Sequence, residues 1–316
     1  MNSSSSSSLV LLGLEQLRPV GWLLLLLLLF VWLFVVLSDS LLIFVIISRR
    51  VLHKPMFVFI AAVLANSLIA SSIVYPKLLR DLGQMGLSPG PVRVSVGACL
   101  TQAFMLHAIG SSSFMLLGAM ALDRYMSITC PLQYTVLMSP HCVLTLLLLC
   151  WLCPPALVGS AIALTSRLPL CSSTVQRIYC DPYTVISVGC PGAMARLTAA
   201  YGLFAMVLVL FVPGSFVVFS YGRILWVCLF RSRSFSRKAL QTCVPHIAVF
   251  LNYLLSTAFD LLHRRVSTGA GASHAMEGLA TAASLLTVMI PTVFNPLVYG
   301  LKVSEIYQQL GAVLQR

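Results

Sequence analysis

The sequence predicts an all-α membrane protein: a seven-transmembrane helix bundle with its N-terminus extracellular and its C-terminus cytoplasmic. Three observations carry this. Of 316 residues, 59% are hydrophobic and only 9% charged, with a mean hydropathy of +0.96. A soluble domain cannot hide that much apolar surface. Apolar runs of about 18 residues or more recur, the length that crosses a bilayer as a helix. Inside the bilayer the backbone must satisfy its own hydrogen bonds, and these runs are too long for barrel strands.

The runs fall at roughly 20–48, 57–80, 97–126, 141–163, 196–228, 238–262 and 276–301. Residues 1–19 are expected as an extracellular segment, 20–301 as the membrane domain, and 302–316 as a short cytoplasmic tail with an interfacial helix. The first run contains the unbroken stretch Leu23 to Leu29. It exceeds the core of a cleavable signal and no small-residue cleavage site follows, so it reads as a retained helix. The third run carries Cys99 at one end and Arg124 at the other, about 37 Å apart at 1.5 Å per residue, and so crosses the whole bilayer. The fifth run is longer than its apolar core requires and is expected to project into the cytoplasm.

An odd number of spans puts the termini on opposite sides. Arg49, Arg50 and Lys54 lie in the first inner loop, and Arg223, Arg231, Arg233, Arg237 and Lys238 lie around the third. The inward bias is modest, because Arg167, Arg177, Arg264 and Arg265 fall outside. The net charge of +12 is therefore partly an outer-surface property. No soluble basic face exists for nucleic acid. Asn2-Ser3-Ser4 is an N-glycosylation sequon in a serine tract, and Cys171, Cys180 and Cys190 crowd the loop between the fourth and fifth runs. Both features point to an outer, oxidising side.

The third run closes with Met120-Ala121-Leu122-Asp123-Arg124-Tyr125, followed by Ile128 and Pro131-Leu132-Gln133-Tyr134. The seventh ends Asn295-Pro296-Leu297-Val298-Tyr299, and the sixth begins Lys238-Ala239-Leu240-Gln241-Thr242-Cys243-Val244-Pro245-His246. Leu52-His53-Lys54-Pro55-Met56-Phe57 leads into the second. Together these motifs resemble the odorant-receptor branch of the rhodopsin-like (class A) G-protein-coupled receptors. With Asn66-Ser67-Leu68 and Val74-Tyr75-Pro76-Lys77-Leu78-Leu79 the pattern looks most like the fish-type odorant receptors. The resemblance runs from about residue 37 to 306.

The resemblance implies a receptor that binds a small-molecule odorant and activates a heterotrimeric G protein of the stimulatory olfactory type, raising cyclic AMP, with no cofactor. It assigns switch and coupling roles to Asp123, Arg124, Tyr125, Lys238, His246, Asn295, Pro296 and Tyr299. Asp123 can hold the Arg124 guanidinium at rest; releasing it frees a fork of donors for a G-protein helix. Pro296 removes a backbone donor and weakens the helix one turn earlier. The resemblance also implies a Cys99–Cys180 bridge, with Cys171 and Cys190 as a second. From the residues alone, these four cysteines admit three connectivities. Cys142, Cys150, Cys153, Cys228 and Cys243 read as small buried hydrophobes.

The chain departs from the pattern in three places. Ser67 stands where rhodopsin-like receptors carry a sodium-binding Asp, and Ser113 where odorant receptors carry a Glu; little sodium modulation is expected. Asp39 replaces an Asn in the first helix. A charge there is costly, so a protonated Asp39 is expected to mimic the amide and to hydrogen-bond near Ser67 and Asn295.

His107, Gly110, Ser111 and Phe114 fall on one face of the third helix, with His107 about 12 Å below Cys99. The small residues leave room for a ligand, and Arg265, at the outer end of the sixth helix, is a cation that would join His107 on a carboxylate. Asp260 is placed to pair with Arg264. A small apolar ligand also fits this bundle. Ser232, Ser234 and Ser236 alternate with arginines as a substrate for a basophilic kinase. A class A receptor for a non-olfactory metabolite would share the fold. A multi-pass transporter would show repeated halves and paired intramembrane charges; no half-to-half repeat is present, and only Asp39 and Asp260 read as membrane carboxylates. No enzyme is expected: there is no H-E-x-x-H, and Ser111-Ser112-Ser113 has no placed base.

Overall fold

The computed structural model describes the backbone of residues 8–87, 90–230, 233–267 and 274–314, and the side chains of these except 16, 233–241, 260–267, 274–280 and 313–314. The apolar runs are long helices: α1 (Gly21–Ser48), α2 (Pro55–Leu87), α3 (Val96–Thr129), α5 (Pro140–Thr165), α7 (Ala193–Leu229), α8 (Arg233–Ser267) and α9 (His274–Lys302). Shorter helices stand between them: α4 (Tyr134–Leu137), α6 (Pro182–Ser187) and the final α10 (Ser304–Leu314). Seven are long and apolar enough to cross a membrane.

The spans from the second to the seventh are longer than hydropathy marks them, and at α3 and α5 a serine sets the start. Ser95 caps α3 by accepting from the Ala98 N–H at 3.2 Å. Ser139 caps α5 from Cys142, with Pro140 in the first turn, where its missing N–H costs nothing. Hydroxyls inside the helices fold back on carbonyls one turn earlier, as Ser38 does on Phe34 and Thr165 on Ala161. Apolar surroundings offer them no better partner.

α3 is the central post, packed against α2, α5, α7 and α8, while α9 bridges α1, α2 and α8. Gly118 permits the α3–α7 approach: a Cβ there would sit 3.0 Å from the Pro213 side chain. The apolar interior divides in two. One core lies toward the Arg124 end and includes Val45, Ile60, Leu116, Met120, Ile224 and Tyr299. The other lies toward the Cys99 end and includes Leu28, Val35, Tyr75, Leu78, Cys99 and Cys180. Between them runs a seam of buried polar side chains: Asp39, Asn66, Ser67, Ser113 and Asn295.

The Cys99 end carries structure that the hydropathy pattern does not announce. Strands β1 (Ser8–Leu11), β2 (Val92–Ser95) and β3 (Thr174–Val175) form one small sheet in the order β2-β1-β3. β1 is antiparallel to β2, with Val10 opposite Arg93, and parallel to β3, with Leu11 opposite Val175. A 3-10 turn at Glu15–Val20 then leads into α1. Leu9, Leu11 and Leu14 are fully buried, each worth about 2 kcal/mol relative to exposure. Disulfides join Cys99 to Cys180 and Cys171 to Cys190, with Cα–Cα distances of 5.1 and 4.8 Å.

Asp81 corrects the sequence reading of the membrane carboxylates. It is 1% exposed near the Cys99 end of α2, where Lys77 pairs with it at 3.3 Å and Arg80 at 3.5 Å. The N-terminal segment and the loop before α3 pack on α2 here, so a carboxylate absent from the sequence reading is an interior one.

Candidate functional site

The last turn of α3 places Asp123 and Arg124 side by side at the mouth of the bundle. Asp123 is fully buried, and the Arg124 side chain is 13% exposed. The guanidinium donates to Asp123 Oδ2 from Nε at 3.0 Å and from Nη2 at 2.5 Å. The other carboxylate oxygen, Oδ1, accepts from the Tyr134 hydroxyl at 2.6 Å. Tyr134 opens α4, held there by the turn through Cys130 and Pro131. Burial, followed by this hydrogen bond and the carboxylate's charge, pushes the phenol well above the usual tyrosine range, so it stays a donor. The Tyr125 ring lies 6.0 Å from Phe219 of α7, tying the motif's third residue to a neighbouring helix.

His246, on α8, is buried, and its ring nitrogens make no hydrogen bond among the described residues. Its ring lies 6.0 Å from that of Tyr299. Tyr299 is fully buried, and its hydroxyl also lacks a described partner. Asn295 donates from Nδ2 to the Tyr253 hydroxyl at 3.0 Å, while its Oδ1 has no described partner. Pro296 sits inside α9, one turn beyond Thr292.

Above these, Tyr253 of α8 presents its ring edge to Phe114 at 5.8 Å. The Tyr253 hydroxyl also lies beside Ser113. Asn66 donates to Ser113 Oγ at 3.2 Å and accepts from Trp151 Nε1 at 3.1 Å, so α2, α3 and α5 meet in one network. Asp39 lies beside Ser67, as expected, and among the described residues its two oxygens and Ser67 Oγ have no other hydrogen-bond partner. On the ligand face of α3, a Cβ added at Gly110 would meet nothing within 4 Å. His107 Nδ1 lies 3.1 Å from the Ala103 carbonyl of its own helix, and Ser111 is partly exposed.

The structure therefore brings Phe114, Tyr253, Asn295, Tyr299 and His246 into one line between helices. Tyr253 and Tyr134 are the residues that sequence reading missed. Tyr253 stands two helical turns beyond His246 on the same face, and Tyr134 sits inside the quoted motif. Those spacings were the available signals. Asn2 and Ser232 lie outside the described residues, and Ser234, Ser236, Lys238, Asp260, Arg264 and Arg265 lie on α8 where only the backbone is described.

Comparison with known proteins fixes the family. Residues 28–316 match the family model described as olfactory receptor. The chain belongs to the olfactory receptor family. It is 29% identical to olfactory receptor 11A1 of Homo sapiens over 96% of this chain and 93% of that one. It is 30% identical to olfactory receptor 1D2 of Pongo pygmaeus, covering 99% and 96% of the two chains, and 30% identical to human olfactory receptor 6N1, covering 100% and 97%. As an olfactory receptor it is a multi-pass plasma-membrane protein of the G-protein-coupled class, not an enzyme. It binds small odorants and couples to a heterotrimeric G protein.

Proposed function

We propose that this olfactory receptor takes its odorant from the extracellular side against the Gly110 face of α3, and that binding is relayed to the Arg124 end through Tyr253. The observation that carries this is the unbroken series from Phe114 to Tyr253 at 5.8 Å and from Tyr253 to Asn295 at 3.0 Å. A ligand that moves Phe114 changes the seat of the Tyr253 ring, and with it the bond to α9. A shift of α9 relative to α8 changes the packing of Tyr299 on His246. Opening the cleft between α3 and α8 then frees Arg124 from Asp123 to meet the G protein.

The disulfides, the Asn2 sequon and the basic residues of the opposite loops support an extracellular N-terminus. Lys238 joins Arg124 on the G-protein side in this reading, and His107 with Arg265 receives a carboxylate where the odorant carries one. α10, with Ile306 buried and Tyr307 exposed, suits an interfacial helix on the cytoplasmic side.

The coupling proposed is to the stimulatory olfactory G protein and adenylyl cyclase. The test is cyclic AMP in cells co-expressing the receptor and that G protein, challenged with pooled carboxylates, amines and neutral odorants. A response present in the wild type and lost in Arg124→Ala at equal surface expression is the expected result. A response that survives Arg124→Ala would remove Arg124 from the mechanism.

A further inference from the structure

Three separate parts of the chain meet at the Cys99 end, and the N-terminal segment is the piece that joins them. β1 lies between β2, from the loop before α3, and β3, from the loop before α7. The Val10 N–H donates to Ser173 and the Leu12 N–H to Val175. Beyond the strand, the chain crosses to the seventh span, where the Thr281 hydroxyl donates to the Gly13 carbonyl at 3.2 Å. At Gly13 the backbone runs so close to Arg177 that a Cβ would lie 2.6 Å from the Arg177 carbonyl carbon. Arg177 itself reaches Ser284 of α9 at 3.3 Å. Leu9, Leu11 and Leu14 are sunk into the same apolar core as Cys99, Cys180 and Leu285.

We infer that residues 8–20 form a lid strap, an intramolecular strand clamped across the odorant-binding end of the bundle that must part from α9 before a water-borne solute reaches the Gly110 face. The clamp is uneven. Toward β2 and β3 it is held by ladder hydrogen bonds and by a loop that two disulfides pin down. Toward α9, among the described residues, no ladder is formed: the Thr281 hydroxyl holds the strap directly, Arg177 of the neighbouring loop reaches Ser284, and the strap leucines pack into the core that Leu285 shares. It therefore opens at the α9 edge, with β1 and the loop before α7 as the hinge side. α9 also carries Asn295 and Tyr299, so the strap grips the helix that bears the switch. This inference rests on the N-terminus-out orientation proposed above.

The test uses the full-length receptor in intact cells with Gly110→Cys as a reporter, labelled by a cationic, membrane-impermeant methanethiosulfonate and quantified on the peptide containing position 110. Pairing Val10→Cys with Arg93→Cys, opposite each other in the antiparallel ladder and within disulfide reach, fixes the hinge side and leaves the α9 edge free. The α9 edge is loosened by Leu11→Asp and, more gently, by Thr281→Val, which keeps the fold if the first variant does not reach the surface. Labelling at position 110 should be about tenfold faster in the loosened receptors than in the unsubstituted strap, and unchanged in the receptor stapled at the hinge, as a shifted open–closed balance requires. Equal rates in the unsubstituted and Thr281→Val receptors, or a staple at the hinge that slows labelling as much as loosening speeds it, would overturn opening at the α9 edge. Arg93→Cys alone reports the orientation: labelling only after permeabilisation would overturn the N-terminus-out reading, and the strap as an outer gate with it.

Discussion

The Tyr134 hydroxyl donates to Asp123 at 2.6 Å on the carboxylate oxygen that Arg124 leaves open. The proposed latch is therefore a three-residue arrangement in which a short loop helix holds the acid in place for the base. Removing the hydroxyl leaves a fully buried carboxylate oxygen without its donor.

Tyr134→Phe is expected to raise cyclic AMP in the absence of odorant. A hydrogen bond to a charged group is worth about 1.5–3 kcal/mol, enough to move a two-state balance by about tenfold or more. Basal signal equal to wild type at matched surface expression would show that the bond does not restrain the latch.

The same phenol fixes a pH expectation. Its titration is displaced upward, by burial first and then by Asp123, so the protonated, donating form persists above the ordinary tyrosine value of about 10. Raising pH toward that value should leave the Tyr134–Asp123 bond intact. Basal nucleotide exchange in membranes, measured from neutral to alkaline pH, should show no rise that Tyr134→Phe abolishes.

Tyr253→Phe keeps the ring against Phe114 and deletes the hydroxyl that accepts from Asn295. Odorant binding should survive while coupling weakens, shifting the cyclic AMP dose–response by about tenfold, the scale of one lost buried hydrogen bond. Loss of binding together with signalling would place Tyr253 in the pocket rather than in the relay.

Asp39→Asn should keep signalling at unchanged surface expression, because the substitution preserves shape beside Ser67 and leaves no charge to bury. An abolished response would show that the acid itself is needed.

Gly118→Val would force a side chain against Pro213, which already limits even a Cβ at 3.0 Å. Overpacking of this kind costs about 1–3 kcal/mol. The thermal midpoint of detergent-solubilised receptor should fall. No change would mean that α3 and α7 are looser than their packing indicates.

The spans and the Asp123–Arg124 pair were legible in the sequence because each is written locally, as a hydropathy run or an adjacent pair of charges. What was not legible depends on distant partners. Helix ends such as those at Ser95 and Ser139 are polar caps that hydropathy does not see. β1 is four residues long, and its pairing partners lie in two remote loops. Asp81 carries no signal in the sequence and its burial is visible only once Lys77 and the covering segments are placed around it. Tyr253 carries no motif of its own; its role is visible only once Asn295 and Phe114 stand on either side.

The bond between Thr281 and Gly13 spans 268 residues of sequence. At a synthesis rate of roughly 5–20 residues per second, the ribosome needs on the order of 15 to 50 seconds after making Gly13 before its partner exists. Early in that interval Leu9, Leu11 and Leu14 have no core to enter, since the loop strands at Val92–Ser95 and Thr174–Val175 follow later in the chain, and the α9 side of their core comes last. The segment made first is thus among the last to find its place.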